Sequence, residues 1–141
     1  MRLALAAGMC LIGASATAAP LPRYGVFIFR TFCIDQGSGD TGGVGLTVIR
    51  SREGDAALYE YTEGAIEWPL LADALKIDDA GHLKAHFASV EKGVPADVRM
   101  EASLTSDAAT IVSSNEPSTG PGTKLQRVTD LGAKFPACKA G

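Results

Sequence analysis

YGVFIFRTFC, Tyr24 to Cys33, is the stretch on which the reading of this chain turns. Two-residue alternation sets Phe27, Phe29, Thr31 and Cys33 on one side and Tyr24, Val26, Ile28, Arg30 and Phe32 on the other, so both sides are mainly apolar. Aromatic and β-branched side chains favour a strand here, and Gly25 would weaken a helix. A strand wet on one face alternates apolar with polar residues, which this one does not do before Arg30. It is therefore expected to be packed on both sides, or to lie at a barrel seam with one side partly covered by the chain ends.

Residues before this stretch read as a leader. Arg2 supplies a positive start, Leu3 to Ile12 a short apolar run and Ala16-Thr17-Ala18 a small-residue cleavage site, so residues 1–18 are expected to be a signal peptide cut near Ala18. The run is too short for a stable membrane anchor. Cys10 follows Met9, where a lipoprotein signal needs a small residue. Cleavage leaves 123 of the 141 residues, the size of one domain (19–141), with 12 basic and 16 acidic side chains and hence a net charge of −4. The protein is expected to be periplasmic or secreted, with no integral membrane segment after cleavage. A mildly acidic chain without runs of Lys and Arg argues against nucleic acid or an anionic membrane as its main partner.

Cys33 and Cys138 are the two cysteines left in the mature chain, and in an oxidising compartment they are expected to pair. Closing a loop of roughly 100 residues is worth up to about 4.7 kcal/mol in the chain-entropy picture. A redox or metal pair is disfavoured by the lack of CxxC spacing and of a neighbouring His.

The remaining chain continues the two-residue period. Asp35 to Gly45, DQGSGDTGGVG, reads as a glycine-rich loop. Val44 to Arg50 and Ala57 to Thr62 form a hairpin about the turn SREGD, with Val44, Leu46, Val48, Ala57, Tyr59 and Tyr61 on alternating positions. Pro69 to Ile77 could open a helix, but a strand is preferred, with Leu71, Leu75 and Ile77 on one face. The turn Asp78 to Gly81 leads into a strand with Leu83, Ala85 and Phe87 inward and His82, Lys84 and His86 outward. After a loop at 91–96, Val98, Met100, Ala102 and Leu104 mark another strand, and Ala108 to Val112 the next. SSNEPSTGPG, 113–122, reads as an irregular polar linker before a last strand at Lys124 to Thr129. The fold expected is all-β: about eight antiparallel strands in a meander, closed into a small barrel or half-barrel and stapled by one disulfide.

Few residues offer chemistry. Gly37 to Gly42 spells GxGxxG but leads into a strand, whereas a dinucleotide loop opens a helix whose amides hold the pyrophosphate. Asp40-Thr41-Gly42 resembles the Asp-Thr-Gly of retroviral-type aspartic peptidases, small all-β chains that dimerise so that two Asp share a proton. The resemblance covers three residues, and Ser38-Gly39 stands where that family carries two apolar residues. On a strand His82 and His86 share a face but lie roughly 13 Å apart, too far for one metal ion. No cofactor, metal or catalytic set is expected.

Three readings follow. The preferred one is a non-enzymatic interaction or inhibitor-type module meeting another envelope or secreted protein. Its candidate contacts are Ser38, Asp40 and Thr41 in the glycine-rich loop and the aromatics Tyr59, Tyr61 and Trp68. The alternatives are a lipocalin-like carrier of a small apolar ligand and an aspartic-type peptidase. Small exported disulfide-stapled barrels include the c-type lysozyme inhibitors, but the Ser-Gly-x-x-Tyr and Lys-Gly-x-x-Ala stretches of that family are absent here.

Overall fold

Phe27 and Phe29 turn inward and are buried, while Tyr24 and Val26 stay half exposed, so the decisive stretch has one core face and one outer face. The computed structural model describes residues 19–64, 69–91 and 94–139, without side-chain surroundings at 89–91 and 94–96; the expected leader and Trp68 lie outside the described residues. Among the described residues nine strands follow one another: β1 (Gly25–Arg30), β2 (Cys33–Ile34), β3 (Thr41–Arg50), β4 (Asp55–Gly64), β5 (Leu70–Ile77), β6 (His82–Glu91), β7 (Val94–Leu104), β8 (Ala108–Ser114) and β9 (Lys124–Arg127). Each long strand pairs antiparallel with the next, and β1 pairs with both β3 and β9, so eight strands close into an up-and-down barrel and β2 adds a short ninth. Closure removes the free edges that an open sheet of this length would carry.

Eight strands leave an interior wide enough for side chains and little else. Phe29, Leu46, Leu83, Phe87, Met100, Leu104, Ile111 and Leu125 occupy it, all fully buried, and Tyr59 packs on Phe87 with ring centres 5.6 Å apart. Leu21 joins this core from the N-terminal segment, which is held across one end by the pairing of Pro20 with Thr105 and by Ser106 N donating to Ala19 O. At the other end the segment expected to be an irregular linker forms a 3-10 turn, Pro117–Thr119. Thr119 is fully buried there and meets Ser114 Oγ at 3.0 Å.

Three sequence boundaries move. The glycine-rich loop is only half as long as expected, because pairing of β3 already begins at Thr41. Gly43 lies in that strand at φ +128°, where an added Cβ would meet Thr31 O at 2.9 Å, so glycine is what allows the two backbones to approach. β1 ends at Arg30 instead of running to Cys33, since Thr31 Oγ1 accepts from Val44 N at 3.0 Å and replaces a ladder bond. The expected loop at 91–96 is shorter, since the β6–β7 ladder already runs to Glu91 opposite Val94.

Residues 70–77 form a strand, but their faces differ from simple alternation. A bulge between Ala72 and Ala74 inserts Asp73 as an extra residue, so Leu70 and Ala72 before it and Leu75 and Ile77 after it all pack on the core. Leu71, expected inward, is 60% exposed.

Beyond β9 the chain turns at Asp130 and runs back along the outside of β1 and β2. Ile34 N donates to Pro136 O and Cys138 N to Ile34 O, and the Cys33–Cys138 disulfide closes the contact with Cα atoms 4.8 Å apart. Phe135 meets Phe32 edge-on at 5.5 Å, which buries Phe32 although it points away from the barrel. The doubly apolar character of the opening stretch thus comes from a barrel on one side and a folded-back tail on the other. Among the described residues no helix is long and apolar enough to cross a membrane.

Candidate functional site

Outward-facing positions divide the barrel into two unlike halves. On β6 and β7 the outer residues are His82, Lys84, His86, Arg99 and Glu101, a polar surface laced by the Lys84–Glu101 ion pair at 2.8 Å. On β1, β3, β4 and the start of β5 they are mainly apolar, apart from Thr47 and the Arg30–Glu60 pair. Cross-strand pairing lines up Val26, Ile49 and Ala56 in one row and Ile28, Thr47, Leu58 and Leu71 in the next. Val26 is 55% exposed, and Tyr24 extends the first row's edge. Val26 and Leu71 are exposed at the two sides of this wall, Ile28, Ile49, Ala56 and Leu58 are half-buried between them, and Thr47 is buried.

Ion pairs frame the wall. At one margin Arg30 reaches across β3 to Glu60, Nη2 to Oε2 at 3.1 Å. The reach is possible because Gly45 lies between them: a Cβ there would meet Glu60 Oε2 at 2.7 Å and the Phe32 ring at 3.3 Å. At the opposite margin Arg50 pairs with Asp55 at 3.4 Å, and Arg23, Tyr24, Arg50 and Arg52 line a hollow of about 460 Å³. Three of the chain's arginines therefore gather in one corner. Sequence reading missed this corner because Arg23 lies far along the chain from Arg50 and Arg52; only the β1–β3 register, with Gly25 opposite Arg50, unites them.

The polar half holds the one clustered histidine. His86 Nδ1 faces Asp73 Oδ1 at 2.7 Å and Nε2 faces Asp97 Oδ1 at 2.5 Å, while Arg99 Nη2 holds the second Asp97 oxygen at 3.2 Å. The bulge in β5 is what turns Asp73 toward His86. The Asp97 carboxylate first, and Asp73 with it, raises the His86 pKa against the cost of losing solvent, and His86 in turn lowers that of Asp97. Both ring nitrogens are engaged, so the arrangement is a cross-strand clamp between β5, β6 and β7 and not a base poised toward a nucleophile. His82 is held separately by Asp78 at 2.9 Å. Among the described residues no cluster of three or more His, Cys, Asp or Glu is arranged to hold a metal ion.

The glycine-rich turn is well tied. Asp35 Oδ1 accepts from Gly37 N, Ser38 N and Ser38 Oγ at 2.9, 2.8 and 3.2 Å, and these bonds hold the Asp35 carboxyl below its ordinary value. Ser38 and Asp40 are exposed on it, Asp40 N donating to Ser38 Oγ, and Thr41 opens β3. Of the aromatics, Tyr59 is a core residue, whose burial raises its pKa. Tyr61 packs partly against the core, and the Glu63 carboxylate beside its hydroxyl pushes it up to about 12. Ser38, Asp40 and Thr41 stand at the barrel end where β1 and β3 are joined, apart from the apolar wall.

Compared with known protein families, curated proteins and solved structures, the chain matches none.

Proposed function

We propose that this protein is an exported, non-enzymatic interaction module that meets another envelope or secreted protein through the outer wall of β1, β3, β4 and β5. One observation carries the reading: Val26, Ile28, Ile49, Leu58 and Leu71 form adjoining apolar rows on the outside of a barrel whose inside is already filled. Val26 and Leu71 stay exposed at the sides of these rows, with half-buried Ile28, Ile49 and Leu58 between them, a continuous apolar surface that a partner can cover. The disulfide supports an oxidising compartment, and hence export. Charge gives the partner its chemistry: an apolar strip bordered at one end by carboxylates, which would meet Arg23, Arg50 and Arg52.

The other readings draw less support. A carrier needs interior room, and Phe29, Leu46, Phe87 and Met100 occupy it. A peptidase of the Asp-Thr-Gly type needs its Asp carried into a shielded dyad, whereas Asp40 is exposed on a turn.

Photo-crosslinking in the native envelope tests the proposal, with benzoylphenylalanine placed at Val26, Ile49 or Leu71 on the wall and at Lys84 or Glu101 on the polar half. The expected result is an adduct to one and the same foreign protein from the wall positions only, weakened by Arg52→Glu. Adducts from Lys84 and Glu101 instead, adducts to a second copy of this chain, or none from the wall would contradict it.

A further inference from the structure

The tail that folds back over β1 does not lie flat. Between Val128, whose N donates to Ile28 O, and Pro136, whose O accepts from Ile34 N, the chain arches away from the end of β1. It leaves a hollow of about 440 Å³ against Arg30, Thr31 and Phe32. That is within the range of small-molecule sites, roughly 300–1,000 Å³. Both feet of the arch are fixed, one by the β9–β1 ladder and the other by the Cys33–Cys138 bridge.

The lining has a definite chemistry. At the disulfide end half-buried Phe135, backed by the buried Phe32 ring, supplies aromatic surface, and Leu131 on the arch is 70% exposed, more than any other large apolar side chain described. Arg30 also lines the hollow. Its guanidinium stands 5.1 Å from the centre of the Phe32 ring and spends Nη2 on Glu60, while its Nε is buried with no hydrogen-bond partner among the described residues. A buried guanidinium N–H without an acceptor is costly, and an oxyanion is the group that relieves it most. Arg127 lines the hollow too, its Nη1 likewise buried with no hydrogen-bond partner among the described residues, and Lys134 and Asp130 complete the charged part of the lining. Aromatic surface, an exposed apolar rim and two unanswered guanidinium donors together fit an apolar body carrying an acidic group.

We propose that the hollow beneath the C-terminal arch binds a small aromatic or short-chain carboxylate, with its apolar body against Phe32 and Phe135 and its oxyanion on Arg30. The site is separate from the apolar wall proposed for protein contact, and either stands without the other. It also differs from a lipocalin-like pocket, because it lies outside the barrel. The disulfide makes the roof, so the site exists only in the oxidised protein.

Titration of the oxidised protein with 2-naphthoate, followed by amide chemical shifts, tests this. Saturable shifts are expected at Arg30 to Phe32 and along Val128 to Pro136, with 2-naphthylmethanol, the neutral analogue, binding about tenfold more weakly. The Cys33→Ser/Cys138→Ser double variant, whose barrel ladders do not involve the bridge, is expected to lose the response while keeping the rest of its spectrum. Ala133→Trp, at an exposed position lining the hollow, gives a second obstruction without touching the barrel. Shifts elsewhere, no saturation by about 5 mM, undiminished binding in both variants, or equal binding of the alcohol would overturn the assignment.

Discussion

Gly42 and Gly43 are neighbours in sequence and opposites in tolerance. A Cβ at Gly42 meets nothing within 4 Å, whereas at Gly43 it meets Thr31 O at 2.9 Å on a backbone held at φ +128°. Gly42→Ala is expected to change stability by no more than about 0.5 kcal/mol, and Gly43→Ala to lower it by about 1–3 kcal/mol, as read by urea unfolding. The His86 clamp gives a prediction in pH. Its proton is held more tightly in the folded state than the ordinary value of 6.5 implies, so its contribution is full below that value and fades as pH rises through the raised folded pKa. Asp97, held below 3.8, contributes above that value and loses its part as pH falls. Melting temperatures of the wild type and His86→Asn should therefore differ most near about pH 5–6 and converge toward alkaline pH; a gap that widens with rising pH would show that Asp73, Asp97 and Arg99 do not act on His86 in this way. Nothing in the linear pattern points to the clamp, because Asp73 and Asp97 reach His86 only through the register of three strands.

Strands were legible wherever alternation was unbroken. Leu83, Ala85 and Phe87 on β6 and Val98, Met100, Ala102 and Leu104 on β7 face inward as their period requires. The period fails where one residue is added. In β5 the extra Asp73 changes phase, and in β8 Val112 does the same between the partners of Glu101 and Ala102, leaving Val112 exposed. A bulge has no signature in the apolar pattern beyond a misplaced polar residue, and Asp73 was that misfit. The phase makes a sharp prediction: Leu71→Asp should cost no more than about 0.5 kcal/mol, whereas Leu75→Asp, which faces the core, should cost more than about 2 kcal/mol. Equal costs would mean that β5 pairs without the bulge. The glycine-rich segment was misjudged for a related reason, since glycines that signal a loop by composition serve here as gaps in a strand, Gly43 for Thr31 and Gly45 for the Arg30–Glu60 pair.

At the scale of the molecule, the disulfide and the barrel do different work. β1 is held by β3 and β9 through backbone ladders, whereas the bridge holds the tail to β2. Cys33→Ser is expected to lower stability by several kcal/mol, bounded by the roughly 4.7 kcal/mol of the chain-entropy limit. Hydrogen exchange in the folded state should nevertheless quicken only at Cys33, Ile34 and the tail; loss of protection throughout β1 would show that the barrel depends on the clamp. The functional reading follows from the same division, for a filled and closed interior leaves only the outside, and what the outside offers was illegible until register placed Val26 beside Ile49 and Leu58 beside Leu71. Closure is thus the claim on which the rest depends, and Phe29 reports it alone, because its backbone is opposite Leu46 on one side and Arg127 on the other. In a nuclear Overhauser spectrum of the oxidised protein, backbone cross-peaks from Phe29 to both residues are expected; cross-peaks to Leu46 without Arg127 would mean an open sheet with β1 at its edge, and would contradict the account.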